Sequence, residues 1–208
     1  MGVSLPEMTA DTLIQIFTKP PVPGTVKTRL IDTIGPFAAA ELHAELTNRL
    51  LDQLSLGQHN IEIWCSSDLN HPFFEGRNCA CWLQSGADLG ARMQHALNHG
   101  LGRAARVVLV GSDLPELSSE YVNRAFVHLE HSDVVVGPAL DGGYGLIGVR
   151  DNTPDVFSGM TWSSLQVTTE TCRRLNQLRL CYTMLPLLWD VDSGEDLARY
   201  RRLVNSIV

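Results

Sequence analysis

Short apolar runs alternate with helical apolar stripes along this chain. Residues 13–17 (LIQIF) predict a strand, and the prolines and Gly24 of the following TKPPVPGTVKTRL end regular structure, leaving a loop that carries Lys19, Lys27 and Arg29. After Gly35 and Pro36 the period changes. Leu42, Leu46, Leu50 and Leu54 recur every fourth residue, with Glu41, Glu45, Arg49 and Asp52 elsewhere, which predicts a helix laid over a sheet. Residues 61–65 (IEIWC) predict the next strand, and 87–101 a helix with Leu89, Met93, Ala96 and Leu97 turned inward. The stretch 67–84 between them has no period and reads as a partly open insert.

Residues 106–111 (RVVLVG) are a valine-rich run without polar alternation, the form of a central parallel strand covered on both faces. A helix over 121–129 follows, then a buried strand in DVVVGPAL; beyond Asp-Gly-Gly, YGLIGV predicts a strand of different direction. A helix is expected over 163–178, opened by a capping box from Ser163 to Gln166, then strand and turn in LCYTMLPLL, and a last helix start at Ser193 with Asp196. Strands alternating with helices under right-handed crossovers make a layered α/β domain with a mostly parallel, mixed sheet. No repeat or long Gly/Ser linker divides the chain. One domain over residues 1–208 is expected, with residues 1–11 a flexible lead-in.

Composition narrows the function classes. At 208 residues, folding removes about 70% of the extended chain's surface from water, so no disulfide or metal staple is required. The balance of 16 Lys+Arg against 23 Asp+Glu, a net charge of −7, argues against a nucleic-acid-binding face but accommodates a local basic pocket for phosphate. Five cysteines, an odd number without paired zinc spacing, fit a reducing compartment. The first residues lack a basic stretch followed by an apolar run, and no run approaches the roughly 20 apolar residues that span a bilayer. A cytoplasmic protein without a transmembrane segment is therefore expected, with nothing to fix its oligomeric state.

The chemistry-bearing residues sit just beyond the strands, where ligand crevices of open α/β sheets form. In the first loop Gly24 permits close backbone approach, and Lys19, Lys27 and Arg29 supply cations suited to phosphate oxygens; a plain basic surface loop explains the same residues. The segment has neither the P-loop nor the dinucleotide glycine pattern. Asp113, after VVLVGS, can hold Mg²⁺ or Mn²⁺ through hard carboxylate oxygens, or can serve only an Asx turn before Pro115. Asp141 and Tyr144 flank the paired glycines and offer an acceptor contact and a stacking face, against a simple hairpin turn. Asp190 and Asp192 in WDVD share one side of an extended segment, and either can join Asp113 around a cation; helix-start electrostatics is the alternative. Asp88 and Arg92 stand four apart on a helix and form either a site contact or a local pair. The seven histidines show no zinc-protease spacing, and Ser112 lacks a nucleophile elbow.

Phe17-Thr18-Lys19, Pro23-Gly24, Val26-Lys27-Thr28-Arg29-Leu30, Gly86-Ala87-Asp88-Leu89-Gly90, Gly111-Ser112-Asp113-Leu114-Pro115, Gly137-Pro138, Asp141-Gly142-Gly143-Tyr144 and Trp189-Asp190-Val191-Asp192 occur in an order that resembles the glycosyltransferase-like, radical-SAM/selenodomain-associated transferase 1 family. The resemblance covers nearly the whole chain. It implies the nucleotide-diphospho-sugar transferase superfamily and a GT-A-type, Rossmann-like three-layer sandwich, with more distant similarity to phospholactate guanylyltransferases and molybdenum-cofactor nucleotidyltransferases. It further implies a metal-dependent glycosyltransferase with a nucleotide-sugar donor and an unknown small-molecule acceptor. In that scheme Lys19, Gly24, Lys27, Arg29, Asp88 and Tyr144 bind the nucleotide, Asp113 and Asp192 hold Mg²⁺ or Mn²⁺, and Asp141 with Asp192 serve catalysis. Two departures keep other readings open. Pro-Pro-Val-Pro-Gly replaces the glycine-rich opening of sugar nucleotidyltransferases, and Gly111-Ser112-Asp113 keeps only the last carboxylate of an Asp-x-Asp. The alternatives are a nucleotidyltransferase acting on a small phosphorylated acceptor and a noncatalytic nucleotide-binding protein.

Overall fold

The structure, a computed structural model, describes residues 10–162 and 164–206. Among these residues seven strands form one sheet: β1 (Ala10–Thr18), β2 (Asn60–Cys65), β3 (Ala80–Leu83), β4 (Ala104–Gly111), β5 (Val134–Pro138), β6 (Tyr144–Arg150) and β7 (Tyr182–Met184). Their order is β3-β2-β1-β4-β6-β5-β7. All neighbours are parallel except β6, which runs antiparallel to both β4 and β5. The turn at Gly142, with φ of +84°, lets the chain double back from β5 into β6.

Among the described residues five helices cover the two faces: α1 (Ile31–Ser55), α2 (Leu89–Leu101), α3 (Ser119–His128), α4 (Val167–Gln177) and α5 (Gly194–Asn205). Side chains alternate along each strand, so neighbours on β4 serve opposite layers. Val108 and Val110 pack with Leu50 and Leu54 of α1 and Val122 and Phe126 of α3. Val107 and Leu109 pack with Met93 and Leu97 of α2 and Leu175 of α4. A third cluster joins Leu42 and Leu46 of α1 to Leu197 and Tyr200 of α5 through Trp189 and Val191. The result is a three-layer α/β sandwich with a mixed, mostly parallel sheet, as the strand and helix pattern predicts.

Several local expectations are corrected. β1 begins at Ala10, so the last residues of the expected flexible lead-in are strand; the earlier ones, 1–9, lie outside the described residues. The irregular stretch 67–84 contains the edge strand β3 and a 3₁₀ turn, Pro72–Phe74, that buries Phe74 in the core. Leu89 is 44% exposed, because it opens α2 at the pocket edge instead of standing over the sheet. The fourth helix starts at Val167, where Gln166 gives no side-chain cap, and the proposed box partner Ser163 lies outside the described residues. At α5 the box forms: Ser193 Oγ accepts from the Asp196 N–H and the Asp196 carboxylate accepts from the Ser193 N–H.

Candidate active site at the carboxyl edge of the sheet

β1 and β4 pair in parallel register and end side by side, so Lys19 and Asp113 emerge at the same edge. The return segment from β7 is fastened there by an isolated bridge between Ala139 and Leu188, and by the Val191 N–H donating to the Asp113 carbonyl at 3.2 Å. Those backbone bonds carry Asp190 and Asp192 to the ends of β4 and β5.

Lys27 stands at the centre of this assembly. Its backbone is left-handed (φ 47°, ψ 41°), an uncommon state for a residue other than glycine, and it introduces the 3₁₀ turn Thr28–Leu30 that leads into α1. The side chain is 2% exposed, and Nζ lies 3.0 Å from Asp113 Oδ2 and 3.3 Å from Asp192 Oδ1. Arg29, largely exposed, donates from Nη1 to Asp192 Oδ2 at 2.9 Å. Burial alone would raise the Asp113 pKa. The hydrogen bond from His43 and the Lys27 charge overcome it and hold the carboxyl well below its usual range.

His43 is a functional candidate that motif spacing did not single out. It lies on the buried stripe of α1, with Nδ1 3.3 Å from Asp113 Oδ1 and Nε2 3.1 Å from the Lys19 carbonyl and 3.2 Å from Thr18 Oγ1. Ser112 Oγ donates to Thr18 Oγ1 at 3.1 Å, so β1, β4 and α1 are tied together directly beneath the site. The signal was available as polar residues, His43 and Thr47, set among the leucines of the buried stripe.

Two concavities meet at Gly111 and Asp113. One, of about 360 Å³, is lined by Lys19, Lys27, His43, Arg92, Ser112 and Asp113. The other, of about 240 Å³, is lined by Met93, Leu114, Asp141, Tyr144, Trp162 and Asp190. Asp190, which the sequence offered as an alternative to Asp192 beside Asp113 at a cation, lines this second pocket. Burial, then the neighbouring charges of Asp192 and Asp141, pushes its carboxyl up to about 6. Burial also raises the Tyr144 phenol.

The remaining sequence candidates divide. Lys19, Lys27, Arg29, Asp113 and Asp192 converge, and Asp141 and Tyr144 line the adjoining pocket. Gly24, with φ of +85°, lies in the exposed part of the loop. Asp88 caps α2 by accepting from the Ala91 N–H at 2.8 Å. Arg92 bonds the Gly86 carbonyl, so the expected Asp88–Arg92 pair does not form. Asp141 Oδ1 accepts from the Gly143 N–H at 2.9 Å, which makes it a turn-former as well as a pocket residue. No three His, Cys, Asp or Glu side chains among the described residues converge as a ready-made metal cage.

The model of the family described as "Uncharacterized protein conserved in bacteria (DUF2064)" matches residues 50–164. The chain belongs to that family. A candidate nucleotide-diphospho-sugar transferase from Desulfovibrio desulfuricans G20 is 37% identical, with 90% of this chain and 85% of that chain covered at a TM-score of 0.85. The DUF2064 chain is thereby a member of the nucleotide-diphospho-sugar transferase superfamily with a GT-A-like fold. Two more distant structures show the same fold. They are CMP:2-keto-3-deoxy-manno-octonic acid synthetase complexed with CTP (11% identity, 95% and 100% covered, TM-score 0.61) and the 4-diphosphocytidyl-2C-methyl-D-erythritol synthase of Anaerococcus prevotii DSM 20548 (8%, 94% and 99%, 0.58). No curated protein sequence matches the chain. Among the described residues no helix is long and apolar enough to cross a membrane.

Proposed function

We propose that the protein is a glycosyltransferase that takes a nucleotide-sugar donor and transfers its sugar to a small acceptor, and that it belongs with the radical-SAM/selenodomain-associated transferases within its superfamily. The observation that carries this reading is the Asp113–Lys27–Asp192 junction, which stands between a basic groove and an acidic, aromatic pocket. A donor diphosphate along Lys19, Lys27 and Arg92 would have its developing charge met by fixed cations. The sugar end would then stand where the two concavities meet at Gly111 and Asp113, at the mouth of the pocket lined by Tyr144, Asp141 and Asp190. A carboxylate of this pocket takes the acceptor proton, and Asp190, whose carboxyl lies nearer neutrality than an ordinary aspartate, is as well suited as Asp141.

A divalent cation fits this donor set. Asp113 and Asp192 direct one oxygen each at a single point, now held by the Lys27 ammonium, and Mg²⁺ commonly takes one or two carboxylates, with phosphate and water completing its shell. Asp113 and Asp192 would hold the ion, which would supply charge neutralisation for the leaving diphosphate. The residue set supports Mg²⁺ or Mn²⁺ as that ion.

The reading is tested by titrating a panel of nucleoside diphosphates and nucleotide sugars into the protein with and without Mn²⁺, followed by assays for nucleoside diphosphate release. Metal-enhanced binding, weakened at least about tenfold in Asp113→Asn with folding intact, is expected. Unchanged affinity in that variant would refute the site. Diphosphate release from nucleoside triphosphates in place of nucleoside diphosphate release would identify a nucleotidyltransferase.

A further inference from the structure

The two concavities flanking Asp113 carry opposite chemistry. All the lysine and arginine side chains that line either one, Lys19, Lys27 and Arg92, lie in the larger groove. The smaller pocket has Asp141 and Asp190 in its wall, and no lysine or arginine among the described residues that line it. Its volume, about 240 Å³, is below the roughly 300–1,000 Å³ of pockets that enclose a whole drug-sized ligand, which suits one ring better than an entire nucleotide sugar.

The walls of this pocket also contain unmet hydrogen-bonding capacity. The Trp162 indole N–H is buried and has no hydrogen-bond partner, whereas the Tyr144 hydroxyl is turned toward the buried Thr171 side chain. Buried polar atoms are ordinarily paired, so this orphan on a pocket residue points to a hydrogen-bonding group that a ligand brings. The two rings stand edge to face with centroids 6.5 Å apart, and Met93 and Leu114 complete an apolar surface. An apolar wall with a few placed polar groups matches a sugar ring, whose faces are C–H and whose rim is hydroxyl.

We propose that this pocket seats the accepting group and selects an uncharged, hydroxyl-bearing ring over a phosphorylated one. The inference rests on the transferase reading above and adds the acceptor's class to it. A phosphate entering here would meet the carboxylates of Asp141 and Asp190 with no guanidinium or ammonium in the pocket wall and only a partial offset from Lys27 beyond it, and like charges brought together at a binding surface are strongly disfavoured. An uncharged ring escapes that repulsion, and its hydroxyls can donate to the carboxylates and accept from the Trp162 N–H.

The experiment measures binding of uncharged hexoses and of their 1- and 6-phosphates to the full chain by ligand-observed NMR, with nucleoside diphosphate binding measured separately. The uncharged sugars are expected to bind at least about tenfold more tightly than their phosphates. Asp141→Asn combined with Asp190→Asn should narrow that gap about tenfold. Trp162→Phe, which keeps an aromatic ring but removes the indole N–H, should weaken sugar binding several-fold and leave nucleoside diphosphate affinity within about twofold. Phosphates binding as tightly as the uncharged sugars, sugar binding indifferent to Trp162→Phe, or no sugar binding at all would overturn the proposal. Failure of the nucleoside diphosphates alone would instead count against the donor reading and leave the pocket's selectivity readable.

Discussion

Lys27→Met removes the one ammonium that Asp113 and Asp192 share while keeping the length of the side chain. Each contact, at 3.0 and 3.3 Å, amounts to about 5 kcal/mol of attraction at an effective dielectric of 20, before the cost of desolvating the ammonium is subtracted. That cost is large, because the lysine side chain is 2% exposed. The two carboxylates are not buried to the same degree: at 39% and 34% exposure, water can take over part of the ammonium's role once it is gone. A net loss of about 2–3 kcal/mol follows, between the 0–1 of exposed pairs and the 3–5 of a broken buried pair. For a chain of this length that corresponds to a fall in Tm of about 4–12 °C. The same deletion leaves two carboxylates directed at one point without their shared cation, so Mn²⁺ should raise the variant's Tm more than it raises wild type's. Thermal melts of both proteins with and without Mn²⁺ provide the check. A variant that melts within about 1 °C of wild type, or that responds to Mn²⁺ no more than wild type does, would refute the account of Lys27 as the bridging cation.

Three further outcomes are expected. Asp190→Asn should stabilise the protein above pH 6 by about 1 kcal/mol, a figure reduced for the side chain's partial exposure, because burial beside Asp192 and Asp141 penalises the charged form and Lys27 only partly offsets it. The sign follows from a raised carboxyl pKa: the penalty is full above the folded value of about 6 and fades as pH falls toward the unfolded value near 4, so melts from pH 8 to 4 should converge. Arg103→Met should cost about 3 kcal/mol in chemical denaturation at neutral pH, since it leaves the Glu62 carboxylate, 1% exposed, with only the neutral donors of Gln15, Trp64 and Trp82. Gly142→Ala should cost at least about 2 kcal/mol by the same measurement, because the new Cβ would stand 2.3–2.5 Å from the Leu165 backbone at a φ of +84°.

The fold was legible where one kind of neighbour dominated. The valine run of β4 is covered on both faces, so every position is apolar, the pattern of a strand buried in the middle of a sheet, here parallel to β1 and antiparallel to β6. The period-four leucines of α1 likewise identify their own layer. Strand β3 was illegible because it is an edge strand of four residues, mostly exposed, with its identity set by pairing to β2 and not by its own pattern. Leu89 misled for a related reason: periodicity places it on a helix but does not show that the helix begins there, at the lip of a pocket. Within the site, Lys27, Asp113 and Asp192 were visible because each sits at a strand or loop end in a polar motif. His43 was not, since its partner Asp113 is 70 residues away and only the sheet order brings α1 over the end of β4.

The junction also changes what the acidic composition means. A chain of net charge −7 has cations to spare only locally, and here the most deeply placed one is already committed to two carboxylates. A phosphate approaching the groove therefore competes with Asp113 and Asp192 for Lys27, and a divalent cation competes with Lys27 for the same carboxylates. Under the proposed reading the two arrivals help each other: a cation on the carboxylates frees the ammonium for phosphate, and phosphate holding the ammonium clears the place for a cation. Such coupling is reciprocal, so the factor by which Mn²⁺ tightens nucleoside diphosphate binding must equal the factor by which nucleoside diphosphate tightens Mn²⁺ binding. In Lys27→Met the exchange is no longer needed, and any coupling that remains measures direct contact between cation and phosphate.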